Sequence, residues 1–197
     1  MRASGQRSWG SSTQRRQDIV DAAAAVFEDE GYRSASIGDV AARSGTSIGS
    51  LYHHFDGKAG LFVAAWESRQ DAYETDVAAV VRRAHSDGRR DPFALLEIGT
   101  RAYLRTVWVH RRIEAVYRGA DAPSELAQAQ RSRAQRWISR NAALLGGVGP
   151  SITDLRVAIL TAAIGEVADR VVGCSSDADA EALIAEAAPI LVGIVRD

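Results

Sequence analysis

Cysteine occurs once in the 197 residues, at Cys174. That excludes an intrachain disulfide and suits a reducing compartment. A lone thiol in so apolar a context reads as packing. Lysine is nearly absent: Lys58 is the only one among 24 basic residues, the others being arginine. No apolar run approaches the ~18 residues that a membrane span needs. Charge of one sign is also missing. The net charge of -1 provides no global basic field to announce nucleic acid. Turn-bounded alternation of the β type is lacking, which argues against a sheet. So are a Gly-rich phosphate loop and a nucleophile elbow. His85 and His110 stand isolated. His53 and His54, adjacent on a helix, diverge by about 100° and chelate one metal poorly. Neither an enzyme nor a metal site nor a cofactor is expected.

What is present is helical. Hydrophobic residues make up 46% and charged residues 25%, a globular balance for a chain long enough to bury a core without staples. Met1 to Thr13 is polar, without the apolar stretch of a secretory signal, and residues 1–12 read as a disordered arm. Ile19, Ala22, Ala23, Val26 and Phe27 share one face of a first helix that Gly31 stops. Ser36-Ile37-Gly38-Asp39 has the form of a capping box opening a second helix through Val40, Ala41 and Ala42. Gly45 ends it. Thr46 or Ser47 can cap a short third helix carrying Leu51, Tyr52 and Phe55. Asp56 can cap a fourth, running towards His85. A break follows at 86–92, with Pro92 suited to a first helical turn. Further helices are expected at about 92–108, 110–118, 123–145, 151–173 and 177–195, nine in all. Gly146-Gly147-Val148-Gly149-Pro150 is a strong stop, and Ser151-Ile152-Thr153-Asp154 is a second capping-box form.

The fold expected is all-α. A three-helix DNA-binding domain with a helix-turn-helix occupies residues 13–60, and a helical ligand-binding and dimerisation domain occupies 61–197. Residues 34–55 carry the helix-turn-helix grammar, a supporting helix and a recognition helix about a tight turn at Gly45. Ile37, Val40, Ala41, Leu51 and Phe55 fix the two helices against each other. The outer face of the third carries Ser47, Ile48, Ser50, His53 and His54, short enough to let it sit deep in a major groove. Over 31–62, Arg33, Arg43 and Lys58 face only Asp39 and Asp56 in the charge count, so backbone amides and hydroxyls must carry much of the phosphate contact.

Gly31-Tyr32, the run Ser36 to Ala41, the run Ser44 to Phe55, and then Lys58 and Leu61 resemble the signature of the TetR family of transcriptional regulators. The resemblance covers about residues 15–62. It implies that Ser36, Thr46 and Ser47 bind phosphate at helix starts, where free N–H groups favour anions. It implies that Ile48, Gly49 and Ser50 face base edges, with Gly49 allowing close backbone approach and Ile48 a thymine methyl. Tyr52 and His54 would bind backbone phosphate, and His53 phosphate or a base. Lys58 would anchor a further phosphate.

Two late helices carry wide apolar stripes. Leu155, Ile159 and Ala162 lie on the eighth, and Leu183, Ile184, Ile190, Leu191 and Ile194 on the ninth. Meeting their symmetry mates, they would form an isologous four-helix bundle. The alternative is that both stripes face their own subunit's core. Pro189 predicts a kink or a locally broken hydrogen bond in the ninth helix. Aromatics gather before the eighth helix: Trp66, Tyr73, Tyr103, Trp108, Tyr117 and Trp137, interleaved with Arg101 and other polar groups. A small-molecule site needs such a lining, although for any one of them core packing is the commoner role. The expected function is a cytoplasmic, ligand-responsive repressor. It binds a palindromic double-stranded operator as a homodimer and is released by a small-molecule effector through a swing of the fourth helix. The alternative is a helical dimer that binds a small molecule or protein without binding DNA.

Overall fold

The computed structural model describes residues 6–145 and 154–196. Nine helices and no strand are found among the described residues. They are α1 (Gln6–Ser34), α2 (Ile37–Ser44), α3 (Ile48–His54), α4 (Gly57–Ser86), α5 (Pro92–Val109), α6 (Arg111–Tyr117), α7 (Ser124–Leu145), α8 (Asp154–Val172) and α9 (Asp177–Arg196). The Gly-rich stop at 146–150 and residues 151–153 of the second capping-box form lie outside the described residues, as do residues 1–5 of the expected arm.

Residues 6–12 of that arm are helical, because α1 starts at Gln6. Extending an established helix fixes one residue per hydrogen bond gained, so a polar segment can continue it. Gln14 Nε2 donates to Asp18 Oδ1 at 2.8 Å and Gln17 Nε2 to Asp21 Oδ1 at 2.8 Å, supports of one helical turn. At the other end, Gly31 breaks the helical path with φ 75° and ψ 165°, a backbone that side-chain-bearing residues rarely adopt.

The chain packs as two units: Met1–Arg69 with Val116–Ala129, and Gln70–Ala115 with Gln130–Asp197. The first is built on the α1 stripe foreseen from periodicity: Ile19, Ala22, Ala23, Val26 and Phe27 are all buried. They share the unit's core with Val40, Leu51, Phe55, Leu61, Phe62, Tyr117 and Leu126. Phe62 meets the ring edges of Phe27 at 4.8 Å and Tyr117 at 5.1 Å. The early turns of α4 and the α6–α7 junction therefore belong to the first unit, not to the segment after residue 60. No local signal in the chain marks Tyr117 as a partner of Phe62; only packing brings them together.

The second unit has its own core, from α5 (Leu104, Val107, Trp108), α8 (Val157, Leu160, Ala168) and α9 (Ala180, Ile184, Leu191, Val195). Asp91 caps α5 by accepting from Phe93 N at 3.1 Å, and Pro92 takes the first turn. Trp108 Nε1 donates to Asp177 Oδ1 at 2.7 Å, tying the end of α5 to the start of α9. Among the described residues, no helix is long and apolar enough to cross a membrane.

Candidate nucleic-acid interface

The helix pair α2–α3 is set by three local devices. Ser36 caps α2 in a full capping box: Asp39 N donates to Ser36 Oγ at 3.1 Å, and Ser36 N donates to Asp39 Oδ2 at 3.2 Å. The Ser36 hydroxyl also donates to the Asp39 carboxylate. Gly45 ends α2 in the left-handed region (φ 64°, ψ 26°), and Thr46 N then reaches back to Ala41 O at 3.0 Å. Of the two candidate caps, Ser47 opens α3, accepting from Ser50 N at 3.2 Å.

What α3 shows to solvent is unusual for a free surface. Ile48 is 50% exposed and Tyr52 60%, one helical turn apart and so on one face. Ser47, Gly49, His53 and His54 are also exposed, while Ser50 and Thr46 are partly buried. A β-carbon built on Gly49 would meet nothing within 4 Å. Internal packing thus gives no reason for glycine there, although glycine in a helix costs about 1 kcal/mol against alanine.

Two contacts that the sequence does not announce brace this head from α1. Arg43 NH1 pairs with Asp29 Oδ2 at 2.8 Å, both half exposed, which neutralises a charge otherwise countable towards DNA. Arg16 lies over the ring of Phe55, 5.0 Å from its centroid. Their partners are distant in the chain, so no local pattern could disclose them. Lys58 Nζ donates to the carbonyl of Arg33 at 3.0 Å and lies 4.6 Å from the Tyr32 ring centroid. Burial, then the nearby Glu125 carboxylate, push the Tyr32 phenol above its usual pKa.

With this arrangement in view, comparison with known proteins is specific. The profile of "Bacterial regulatory proteins, tetR family" matches residues 19–65. A solved TetR-like transcriptional regulator from Rhodococcus sp. RHA1 superposes with a TM-score of 0.62 at 27% identity, covering 92% of this chain and 93% of that one. Residues 19–65 thus match the N-terminal domain of the tetR family, and the chain as a whole is similar to solved TetR-like regulators. Among curated members, it is 26% identical to the HTH-type transcriptional repressor AcnR of Corynebacterium glutamicum over 93% of this chain and 94% of that one. It is 29% identical to the HTH-type transcriptional regulator AcrR of Shigella flexneri over 60% of this chain, and the match spans 55% of AcrR. The chain thus spans about half the length of the first such relative and less of others: 29% of SrpR and 46% of TtgW, both from Pseudomonas putida.

The residues expected to line an effector site are found in both units. Trp66 and Tyr117 are buried in the first unit. Tyr73, in the second, is buried, stacks on His110 at 5.4 Å and meets Tyr103 edge-on at 6.5 Å. Trp108 is tied to Asp177 and carries Arg111 over its ring at 4.2 Å. Arg101 pairs with Glu97 at 2.8 Å and donates to Ala185 O at 3.3 Å. Trp137 and Tyr103 are partly buried against the second core.

The expected dimer stripe divides. Leu155 is 68% exposed, Ile159 49% and Ile190 64%, and Ala162 is exposed with them. Leu183 and Ile194 are partly buried. Ile184 is wholly buried in its own subunit's core, which corrects its reading as an interface residue; Leu191 is buried there too but also lines the groove between α8 and α9. The reason is angular: the α9 stripe is wider than one contact face, so α5 and α8 cover part of it. Between α8 and α9 runs a groove of about 340 Å³ lined by Ala163, Val167, Leu183, Ile190 and Ile194 together with Glu166, Arg170 and Glu186.

Proposed function

We propose that this chain regulates transcription in the cytoplasm as a homodimer, gripping a near-palindromic DNA operator until a small molecule releases it. The reading rests above all on the outer face of α3. Exposing Ile48 and Tyr52 sacrifices burial, and Gly49 sacrifices helix stability, with no return inside the free chain. Both costs are repaid if a partner approaches the backbone closely at that point, as the floor of a major groove does. Ile48, Gly49 and Ser50 then meet base edges. Ser36, Thr46, Ser47, Tyr52, His53 and His54 take phosphates or, for His53, a base.

One short helix reads few bases, so two copies about one DNA turn apart, ~34–36 Å, are required. The exposed Leu155, Ile159 and Ile190 beside the α8–α9 groove supply the apolar surface for that pairing. α4 is the proposed lever. It gives Leu61 and Phe62 to the first core and Tyr73 to an aromatic group in the second unit. An effector contacting Tyr73, Tyr103 and Trp137 would favour a state in which the reading heads no longer match the operator.

The test is selection from a pool of random duplexes by purified protein, followed by sequencing. Enrichment of a palindromic site is expected. A folded dimer that enriches nothing at any salt concentration would overturn the DNA reading and favour a helical binding module without DNA.

A further inference from the structure

The resemblance makes Lys58 a phosphate anchor, but its geometry turns the ammonium inward. It donates to the carbonyl of Arg33 at 3.0 Å, two residues past the break that Gly31 makes in α1. It also lies 4.6 Å from the centroid of the Tyr32 ring, a cation–π distance. That ring is itself held, with Phe62 at 4.8 Å and Phe27 at 6.0 Å, and Phe27 and Phe62 in edge contact at 4.8 Å. The side chain is partly buried, so part of its hydration has already been exchanged for these partners.

The corner that Lys58 grips leads straight into α2. Gly31 turns the chain with a positive φ, Ala35 N donates to Gly31 O at 3.2 Å, and Ser36 follows as the cap of α2. The gripped carbonyl is thus three residues before Ser36. On the other side, Lys58 is the second residue of α4, directly after the α3–α4 turn.

We infer that Lys58 is a positioning residue: it fastens the start of α4 to the α1–α2 corner, so that Ser36 and α3 are held in one rigid head that turns with α4. Its effect on DNA affinity runs through Ser36 and rests on the DNA reading above; its effect on the free chain does not.

The test compares Lys58→Met, Tyr32→Leu, the double variant and Tyr32→Phe as a control that keeps the ring. Melting of the free protein is measured, together with binding to a mixed-sequence 30-base-pair duplex across a salt series. A fastener predicts that Lys58→Met and Tyr32→Leu each lower Tm by about 2–4 °C. The double variant loses little more than either, and Tyr32→Phe behaves as native. Duplex binding then weakens in both single variants with the salt slope unchanged. A phosphate anchor predicts an unaltered Tm, a slope reduced by about 0.9 per lost contact, and no effect of Tyr32→Leu on binding; that pattern would overturn the inference. If Lys58→Met does not fold, Tyr32→Leu, which leaves the charge in place, decides between the same two outcomes. Should the native protein fail to bind the duplex, the DNA reading falls, and the Tm cycle alone still decides whether Lys58 is the fastener: additive losses, or none, sink it.

Discussion

Arg101 donates from NH2 to the carbonyl of Ala185 at 3.3 Å, and Ala185 stands four residues before Pro189. Proline has no N–H, so the carbonyl one turn earlier loses its partner within the helix. The guanidinium from α5 takes that place, and α9 runs through Pro189 to Arg196 without ending. The broken hydrogen bond foreseen from the sequence is thereby mended across the α5–α9 contact. The same bond gives Arg101 a role in the fold.

Arg101→Leu is expected to destabilise the protein by about 1–2 kcal/mol, the loss of a charge-assisted hydrogen bond. Adding Pro189→Ala should return most of that loss, because an alanine N–H can reach Ala185. Urea unfolding of the two single variants and the double variant measures this. Simple additivity would show that the carbonyl does not depend on the guanidinium.

Gly49→Ala is expected to separate stability from reading. Open space surrounds the position, so the free protein should gain up to about 1 kcal/mol. Affinity for the selected operator should fall at least tenfold, because the added methyl keeps the backbone from the bases. Calorimetry and an operator titration check the two halves independently. Undiminished affinity would remove close backbone approach from the account.

Ile190→Glu and Ile184→Glu should behave in opposite ways although both lie on α9. Ile190 is 64% exposed, so its glutamate variant should stay folded yet sediment as a monomer and lose tight operator binding. Ile184 is wholly buried, so its glutamate variant should unfold, an unpaired charge in a core costing several kcal/mol. Sedimentation with circular dichroism separates these outcomes. A dimeric Ile190→Glu would place the interface elsewhere.

Acid should weaken the α5–α9 contact through Glu181. Its hydrogen bonds from Arg105, at 2.7 and 2.8 Å, hold its carboxyl below the usual value of 4.5, and Arg105 is correspondingly raised. A carboxylate lowered on folding adds stability that is present above its unfolded pKa and lost as pH falls through its folded one. The pair is about half exposed, so its share is at most about 1 kcal/mol. Arg105→Gln should therefore lower Tm at pH 7 slightly and make no difference at pH 2. A Tm loss of equal size at both pH values would show that packing, not charge, is responsible.

The helical nature of the chain was written in its local pattern. The α1 stripe, the Ser36–Asp39 capping box, the left-handed Gly45 and the Pro92 start each depend on neighbours within a turn, so spacing alone disclosed them. The reading head was legible for the same reason, since α2, α3 and their turn form one short continuous stretch. What lay beyond local reach was decided by packing. Nothing in the α9 stripe says that Ile184 turns inward and Ile190 outward; the division exists only once α5 and α8 lie against one side of it. The contacts of Lys58, expected only as a phosphate anchor, stayed hidden because its partners are more than twenty residues away, at Tyr32 and Arg33. Helix period, caps and turn residues were thus the sequence's own to determine. Which face of each helix is covered, and which charges are already engaged, belongs to the tertiary structure, because those depend on surfaces that meet only after the chain has folded.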